Sequence, residues 1–398
     1  MSVGVCVINR NGVALAADSA GSFTSNKMFY NTVNKLFPLS QKNKCGAIIY
    51  GVLAIHSVSV EQIVKEFSSY LDQQEEMKDF FEIIPAFRKF IQQKNSYYKF
   101  DADEISFCHS LISAPVNQWG KKILAVIDSD DAENNINIII KELDSLISNT
   151  GKVKNFDISN HIKLTYQDYF DQEISRVLPK LSSYAEQKQH LWESICSYFN
   201  LPLDSESHTT GFFFAGYGSE DSHPKYIQIE LRNIIGGEIK FVEKDKCQEY
   251  KNYAEIKPLA QEDIIYTFCK GISKDLITSI PDEASDYITR KINALPSTFT
   301  EEQKKELLAT MSDCKDHMSK TISDISRQKN INPLMDSVKL ITLPEMAFLA
   351  ENLVNITSLK RTYALDGNQQ TVGGPTDVAI LSKGDGFVWI KQKNAHHN

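Results

Sequence analysis

An Asn11-Gly12 step separates two apolar runs at the start of this chain, Ser2 to Ile8 and Val13 to Ala17. Asn-Gly between apolar runs is the strongest short-range hairpin signal, because both residues tolerate the positive φ of a tight turn. The pattern therefore predicts two antiparallel strands that turn at Arg10-Asn11-Gly12, the second ending at Asp18-Ser19. The first strand opens on Ser2, directly after the initiator Met. A small second residue ordinarily lets the methionine be removed, which leaves Ser2 with a free α-amine beside its hydroxyl. That residue would carry a nucleophile and a base together, since an α-amine has a pKa of about 7.7–8.0. With Met1 retained, the amine is not free and Ser2 reads as an ordinary N-terminal residue.

Further residues follow in a recognisable order. Lys35 stands in Val33-Asn34-Lys35-Leu36-Phe37, and Gly51 ends the apolar run Ala47-Ile-Ile-Tyr-Gly51. Gly211-Phe-Phe-Phe-Ala-Gly-Tyr217 and Tyr226-Ile-Gln-Ile-Glu-Leu231 suggest a later hairpin. Leu343 to Leu353 is helix-like and leads to Thr371-Val-Gly-Gly-Pro-Thr-Asp-Val-Ala-Ile-Leu381. Together these segments resemble the proteasome β-subunit branch of the N-terminal-nucleophile (Ntn) hydrolases. The resemblance covers residues 2–75, 208–245 and 340–395, and its first segment is the most specific.

The resemblance implies a site made of Ser2, Asp18, Lys35 and Gly51. Ser2 would be the nucleophile and its amine the base. Lys35 would lower the proton affinity of its neighbours through its positive charge, and Asp18 would hold Lys35 in place. The Gly51 N–H would face the oxyanion, a donor whose loss typically costs ~2.7–4 kcal/mol of barrier. Ser22 falls where the family has a substrate-contacting Thr. The pattern departs from the family near Gly373-Gly374. Gln369 and Val372 stand where an Asp and a Ser are expected, with Asp366 and Asn368 nearby. A further supporting Ser is sought around Phe268-Cys269-Lys270-Gly271, which lacks the family's Gly-Ser-Gly turn. In catalytically silent relatives, Asp18 and Lys35 would be a structural ion pair only.

Composition narrows the function classes. The net charge of −8 gives no basic face for general nucleic-acid binding. Seven scattered cysteines form no CxxC pair, so neither a zinc site nor a disulfide framework is suggested, and reduced thiols in a cytoplasmic protein fit best. The nine histidines show no HxH or HExxH spacing, so neither a metal centre nor a cofactor is expected. The start lacks a basic n-region and an h-region, and apolar runs stay far short of a membrane span.

Organisation points to one core with two helical insertions, 98–207 and 272–338. Residues 2–55 read as four strands. Val60, Ile63, Val64, Phe67 and Leu71 give a helical stripe, and a second helix over 77–94 should kink or split at Pro85. In the first insertion, Lys122-Ile-Leu-Ala-Val-Ile-Asp128 reads as a strand, a helix is expected near 136–148, and a helical stretch over 166–199 breaks at Pro179. Its aromatics read as packing residues. In the second insertion, Thr300 and Gln303 form a capping box that opens a helix to about Ser326. Gly236-Gly237 reads as a hairpin turn.

The expectation is an α+β, four-layer αββα sandwich of the proteasome-like Ntn type, with helices covering both outer faces. The leading function is hydrolysis of a peptide or amide bond by Ser2. The resemblance also implies a homo-oligomer and a possible ATPase partner. Two other readings stand beside it: an inactive scaffold or binding protein on the same fold, and a small-molecule amidohydrolase.

Overall fold

β1 (Val3–Asn9) and β2 (Gly12–Ala17) are buried along their whole length in the computed structural model of this protein. The structure describes residues 2–23, 28–55, 58–98, 101–202, 209–247, 254–296, 298–311, 313–363 and 372–393. Asn9 pairs with Gly12, so the hairpin loop is the two residues Arg10 and Asn11, and Gly12 already belongs to β2. Gly12 adopts φ +151°, and a Cβ there would lie 2.2 Å from the Leu381 carbonyl oxygen. The glycine is therefore required by the neighbouring strand as well as by the turn.

The chain continues through a short hairpin, β3 (Gly21–Phe23) and β4 (Met28–Tyr30), then β5 (Leu36–Ser40) and β6 (Cys45–Gly51). A second small pair, β7 (Ala54–Ile55) and β8 (Val58–Ser59), precedes helices α1 (Val60–Gln73) and α2 (Ile83–Tyr98). Residues 2–55 thus supply four strands to the main sheets, as the pattern predicts, and small hairpins in addition. α2 starts later than expected and is not split. Pro85 sits in its first turn, where a missing N–H removes no helical hydrogen bond. A 3₁₀ turn, Phe80–Glu82, capped by Asp79, leads into it.

Helices α3 (Asp101–Leu124), α4 (Ala132–Thr150), α5 (Ser159–Thr165), α6 (Gln167–Val177) and α7 (Ala185–Tyr198) come next. The central strands β9 (Thr210–Gly216), β10 (Lys225–Ile235), β11 (Glu238–Lys246) and β12 (Ala254–Ala260) follow. Then come α8 (Asp263–Lys270), α9 (Lys274–Asn293), α10 (Glu301–Thr310), α11 (Cys314–Ser326), α12 (Asn332–Val338) and α13 (Leu343–Tyr363), and the closing strands β13 (Asp377–Ser382) and β14 (Gly386–Lys391).

Two five-stranded antiparallel sheets result, in the orders β12-β1-β2-β13-β14 and β11-β10-β9-β6-β5. Side-chain alternation along each strand explains the continuous apolar runs. On β1 and β2, Cys6, Ile8, Val13 and Leu15 face the second sheet, where they meet Ile48, Phe213 and Tyr226. The alternate residues Val3, Val5, Val7, Ala14 and Ala16 face α13, α8 and α12. On the second sheet, Ala47, Ile49, Phe212 and Phe214 turn outward to α1 and α2. The architecture is a four-layer αββα sandwich.

Residues 101–201 contribute a separate apolar cluster, built from α3 to α7 and joined to the sandwich at Ile235. Here the sequence reading needs correction. The run Lys122–Asp128 is not a strand: α3 extends through Leu124 and a turn follows. Ile112, Val116, Trp119, Ile123 and Ile127 recur at helical spacing and share this cluster, so packing in three dimensions decides over the β-branched composition. The stretch over 166–199 breaks at Tyr166 as well as around Pro179, where a 3₁₀ turn spans Pro179–Ser183. The Thr300–Gln303 capping box is present, but its helix stops at Thr310 and α11 begins anew at Cys314. Gly236 and Gly237 form the β10–β11 turn. Glu104 accepts the Gly236 N–H at 2.6 Å and also binds His161 and Tyr166, fastening the helical cluster to this turn.

Phe67 on α1 packs between layers, with ring centroids 4.8 Å from Phe87 and 5.4 Å from Phe90. Phe67→Ala is expected to lower unfolding free energy by about 3–5 kcal/mol, as for large-to-small changes in packed cores. Urea unfolding checks this, and a loss below about 1 kcal/mol would contradict the packing described.

Candidate functional site

The β1–β2 hairpin brings its two ends together, because it folds back on itself between residues 9 and 12. Gly4 pairs with Ala17, and the Asp18 N–H donates to the Val3 carbonyl at 3.1 Å. Ser2 and Asp18 therefore lie side by side at the open end of the hairpin, both buried.

The Asp18 carboxylate collects four donors. Oδ1 accepts the Val3 N–H at 2.9 Å and the Lys35 ammonium at 2.7 Å. Oδ2 accepts the N–H groups of Ala20 and Gly373, each at 3.3 Å. A buried carboxylate needs such partners, since an unpaired buried charge costs several kcal/mol. Sharing Oδ1 between Val3 and Lys35 places the ammonium beside the backbone that carries Ser2. Lys35 is 1% exposed, and it reaches this point because its own carbonyl accepts the Ile49 N–H at 2.8 Å, which aligns it on β6. Burial pushes the Lys35 ammonium below its ordinary proton affinity, the Asp18 carboxylate opposes that, and Lys393 adds a further push down; the net direction is down.

Gly51 ends β6 at φ +81° and is exposed. A Cβ there would lie 2.3 Å from the Thr209 carbonyl oxygen, so the position demands glycine. Backbone N–H groups alternate between neighbouring strands in an antiparallel ladder. Ile49 donates toward Lys35 and Val52 toward Thr209. The Gly51 N–H therefore points to the Lys35 side, beyond the first residue of β5.

The closing segment also arrives at this place. The Ser19 N–H donates to the Gly373 carbonyl, and Gly374 packs on Asn31. Val372 is fully buried in the apolar layer over the first sheet. Asp366, Asn368 and Gln369 lie outside the described residues, as does Met1. Ser22 lies on β3 opposite Phe29; its side chain falls outside the described residues.

The segment Phe268–Gly271 is a helix end and not a loop turn like the one sought there. It is the C-terminus of α8, with Gly271 at φ +69° as its cap, and the Lys270 carbonyl accepts from Ser326 and Asn330. The corner that meets Ser2 is the preceding one, between β12 and α8. Ala260 pairs with Val3, and the Gln261 N–H donates to the Ser2 carbonyl at 3.3 Å. Ala260 adopts φ +66°, the left-handed region that glycine usually fills, so no turn residue in the sequence marks this corner.

Sequence reasoning also missed Asp377 and Lys393, a second buried ion pair next to the first. Asp377 pairs with Ala17, one residue from Asp18. Ser19 was passed over too: its hydroxyl is buried and has no hydrogen-bond partner among the described residues.

Elsewhere, Ser194, His190 and Asp144 lie together on α4 and α7. The Ser194 hydroxyl donates to Asp144 Oδ1 at 2.6 Å, while His190 Nε2 lies 2.9 Å from Asp144 Oδ2. The serine proton is thus bound by the carboxylate and no imidazole receives it, so the trio is not a nucleophile relay. Among the described residues, no group of three or more His, Cys, Asp or Glu is placed to hold a metal ion. Among the described residues no helix is long and apolar enough to cross a membrane.

No protein-family model matches this chain, and no curated protein matches it in sequence. Solved structures similar to it include Anbu from Hyphomicrobium sp. strain MC1, with 10% sequence identity and a TM-score of 0.36 over 98% of this chain and 86% of that one. An Anbu (Gly-1) mutant from the same strain gives 9% identity and a TM-score of 0.36, covering 99% and 86%. Anbu from Yersinia bercovieri, described as an ancestral beta-subunit, gives 9% identity and a TM-score of 0.32, covering 98% and 88%. The four-layer assignment rests on the sheets and clusters of this chain, not on these scores.

Proposed function

We propose that this chain is a cytoplasmic N-terminal serine hydrolase that cleaves peptide or amide bonds with Ser2. The observation that carries this reading is the shared Asp18 oxygen, which holds the Lys35 ammonium and the Val3 N–H together beside Ser2. The sequence resemblance supports it, and implies a homo-oligomer and an ATPase partner as well.

In this mechanism Met1 is removed and the Ser2 amine takes the proton of the Ser2 hydroxyl. Oγ then attacks the substrate carbonyl carbon. Negative charge moves to the carbonyl oxygen, facing the Gly51 N–H. The C–N bond breaks and the departing amine takes the proton held by the Ser2 amine. Water, deprotonated by the same amine, attacks the Ser2 ester; the acyl C–Oγ bond breaks, Oγ takes the proton back from the amine, and the acid leaves. Lys35 keeps positive charge next to the amine, which favours its neutral, proton-accepting form. One observation favours the scaffold reading: Val372 is buried and apolar where the resemblance expects a hydroxyl to orient the amine.

Intact-mass analysis after treatment with a peptide epoxyketone or β-lactone is the direct test. The expected result is a chain without Met1 that gains one adduct, and Ser2→Ala gains none. Retained Met1, or an adduct that survives Ser2→Ala, contradicts the proposal. Gly51→Ala is expected to lower the acylation rate by about 10²–10³-fold, because the strained residue displaces the donor; circular dichroism should remain native. A rate within about threefold of the original would remove Gly51 from the mechanism.

The pH profile follows from two groups. The amine works only when neutral, so the rate rises through its pKa, about 7.7–8.0 or below beside a cation. Lys35 works only when charged and burial holds its proton affinity below the ordinary value, so the rate falls again on the alkaline side, earlier than an ordinary lysine would give. A bell-shaped profile is expected from acylation rates. A rate that does not fall on the alkaline side would show that the Lys35 charge is not used.

A further inference from the structure

A second buried ion pair lies behind Lys35. Lys393 follows β14, and its ammonium donates to the Val33 carbonyl at 2.9 Å and to Asp377 Oδ2 at 2.5 Å. Its own backbone N–H donates to Asp377 Oδ1 at 2.8 Å. The two side chains are 3% and 4% exposed. Val33 in turn donates its N–H to the Ser19 carbonyl at 3.0 Å. One ammonium thus ties the last strand of the chain to the segment that leads into Lys35, and that segment is tied to the residue after Asp18.

We infer that Lys393 is a positioning residue for Lys35: its ammonium, held by Asp377, clamps the Val33 carbonyl and with it the segment that carries Lys35. The inference rests on Lys35 belonging to the Ser2 site, and it deepens that reading. β5 begins only at Leu36, so the Val33 carbonyl has no strand partner of its own and the Lys393 ammonium supplies one. A surface lysine would not suffice, since an exposed ion pair is worth little and holds no fixed geometry.

The charged and titratable groups facing Lys35 come from several elements. Asp18 comes from the end of β2 and is shared with three backbone donors. Asp377 comes from β13 and Lys393 from the segment after β14. Glu61 on α1 is held by the Asn34 side chain at 2.8 Å and by Lys65. Against these, the like charge of Lys393 works together with burial to ease the proton off Lys35, while Asp18 works to retain it.

The test is a titration of Lys35 in the full-length protein, read by lysine ¹⁵Nζ NMR and assigned with Lys35→Arg. Removing Lys393 alone leaves Asp377 unpaired and buried, which destabilises strongly. Lys393→Met is therefore compared with the double variant Lys393→Met/Asp377→Asn, which buries no lone carboxylate, and with Lys393→Arg. The Lys35 midpoint is expected to rise by about one unit in Lys393→Met, the size a neighbouring charge gives, to rise by less in the double variant, which loses the Asp377 charge as well, and to stay near its original value in Lys393→Arg. The alkaline limb of the acylation rate should move with it. A folded double variant whose Lys35 midpoint is unchanged overturns the inference. Because NMR reads Lys35 without turnover, a protein that fails to label at Ser2 but shows the shift would sink the hydrolase reading and leave this one standing.

Discussion

The Asp18 carboxylate is the interaction on which the rest of this site depends. It joins the start of β1, the end of β2, the lysine before β5 and the glycine before β13. No single element of the sandwich could hold these four pieces. A buried carboxylate with this many donors is stable only in one arrangement, because losing any partner leaves charge or a backbone donor unsatisfied in a dry interior. Ser2 inherits its position from this arrangement, since the next residue's N–H is one of the four.

The sandwich explains why such a node lies at a strand end. β1 and β2 face apolar layers on both sides, so their middles have no place for charge. Polar groups can gather only where the ladders end. There the Gly51 N–H leaves the sheet, the β12–α8 corner turns, and the closing glycines fold over. Ala260, a non-glycine residue at φ +66°, holds backbone strain at the same place. Strain of this kind persists only where surrounding contacts fix the backbone.

Much of this was legible in the sequence. The Asn11-Gly12 turn and its flanking runs set the register that brings Ser2 to Asp18, and Lys35 meets Asp18 in space. What was hidden has physical reasons. Lys393 is far from Lys35 in sequence, and nothing around it distinguishes a buried lysine from a solvated one. Ala260 occupies a left-handed corner without a glycine, so the turn leaves no mark in the sequence, while Gly271 marks the far end of α8. Lys122–Asp128 is rich in β-branched residues, yet its apolar spacing serves a helix that packs on α4, α6 and β10, elements well removed in sequence. The helical cluster over 101–201 has a core of its own, which local pattern does not reveal.

The most direct test of the account is a crystal structure of the protein after reaction with a peptide β-lactone. The account predicts continuous density from Ser2 Oγ to the opened lactone carbonyl, with that carbonyl oxygen within hydrogen-bond distance of the Gly51 N–H and Lys35 still on Asp18. A structure with Met1 in place and Ser2 unmodified, or with the adduct on another residue, would contradict it.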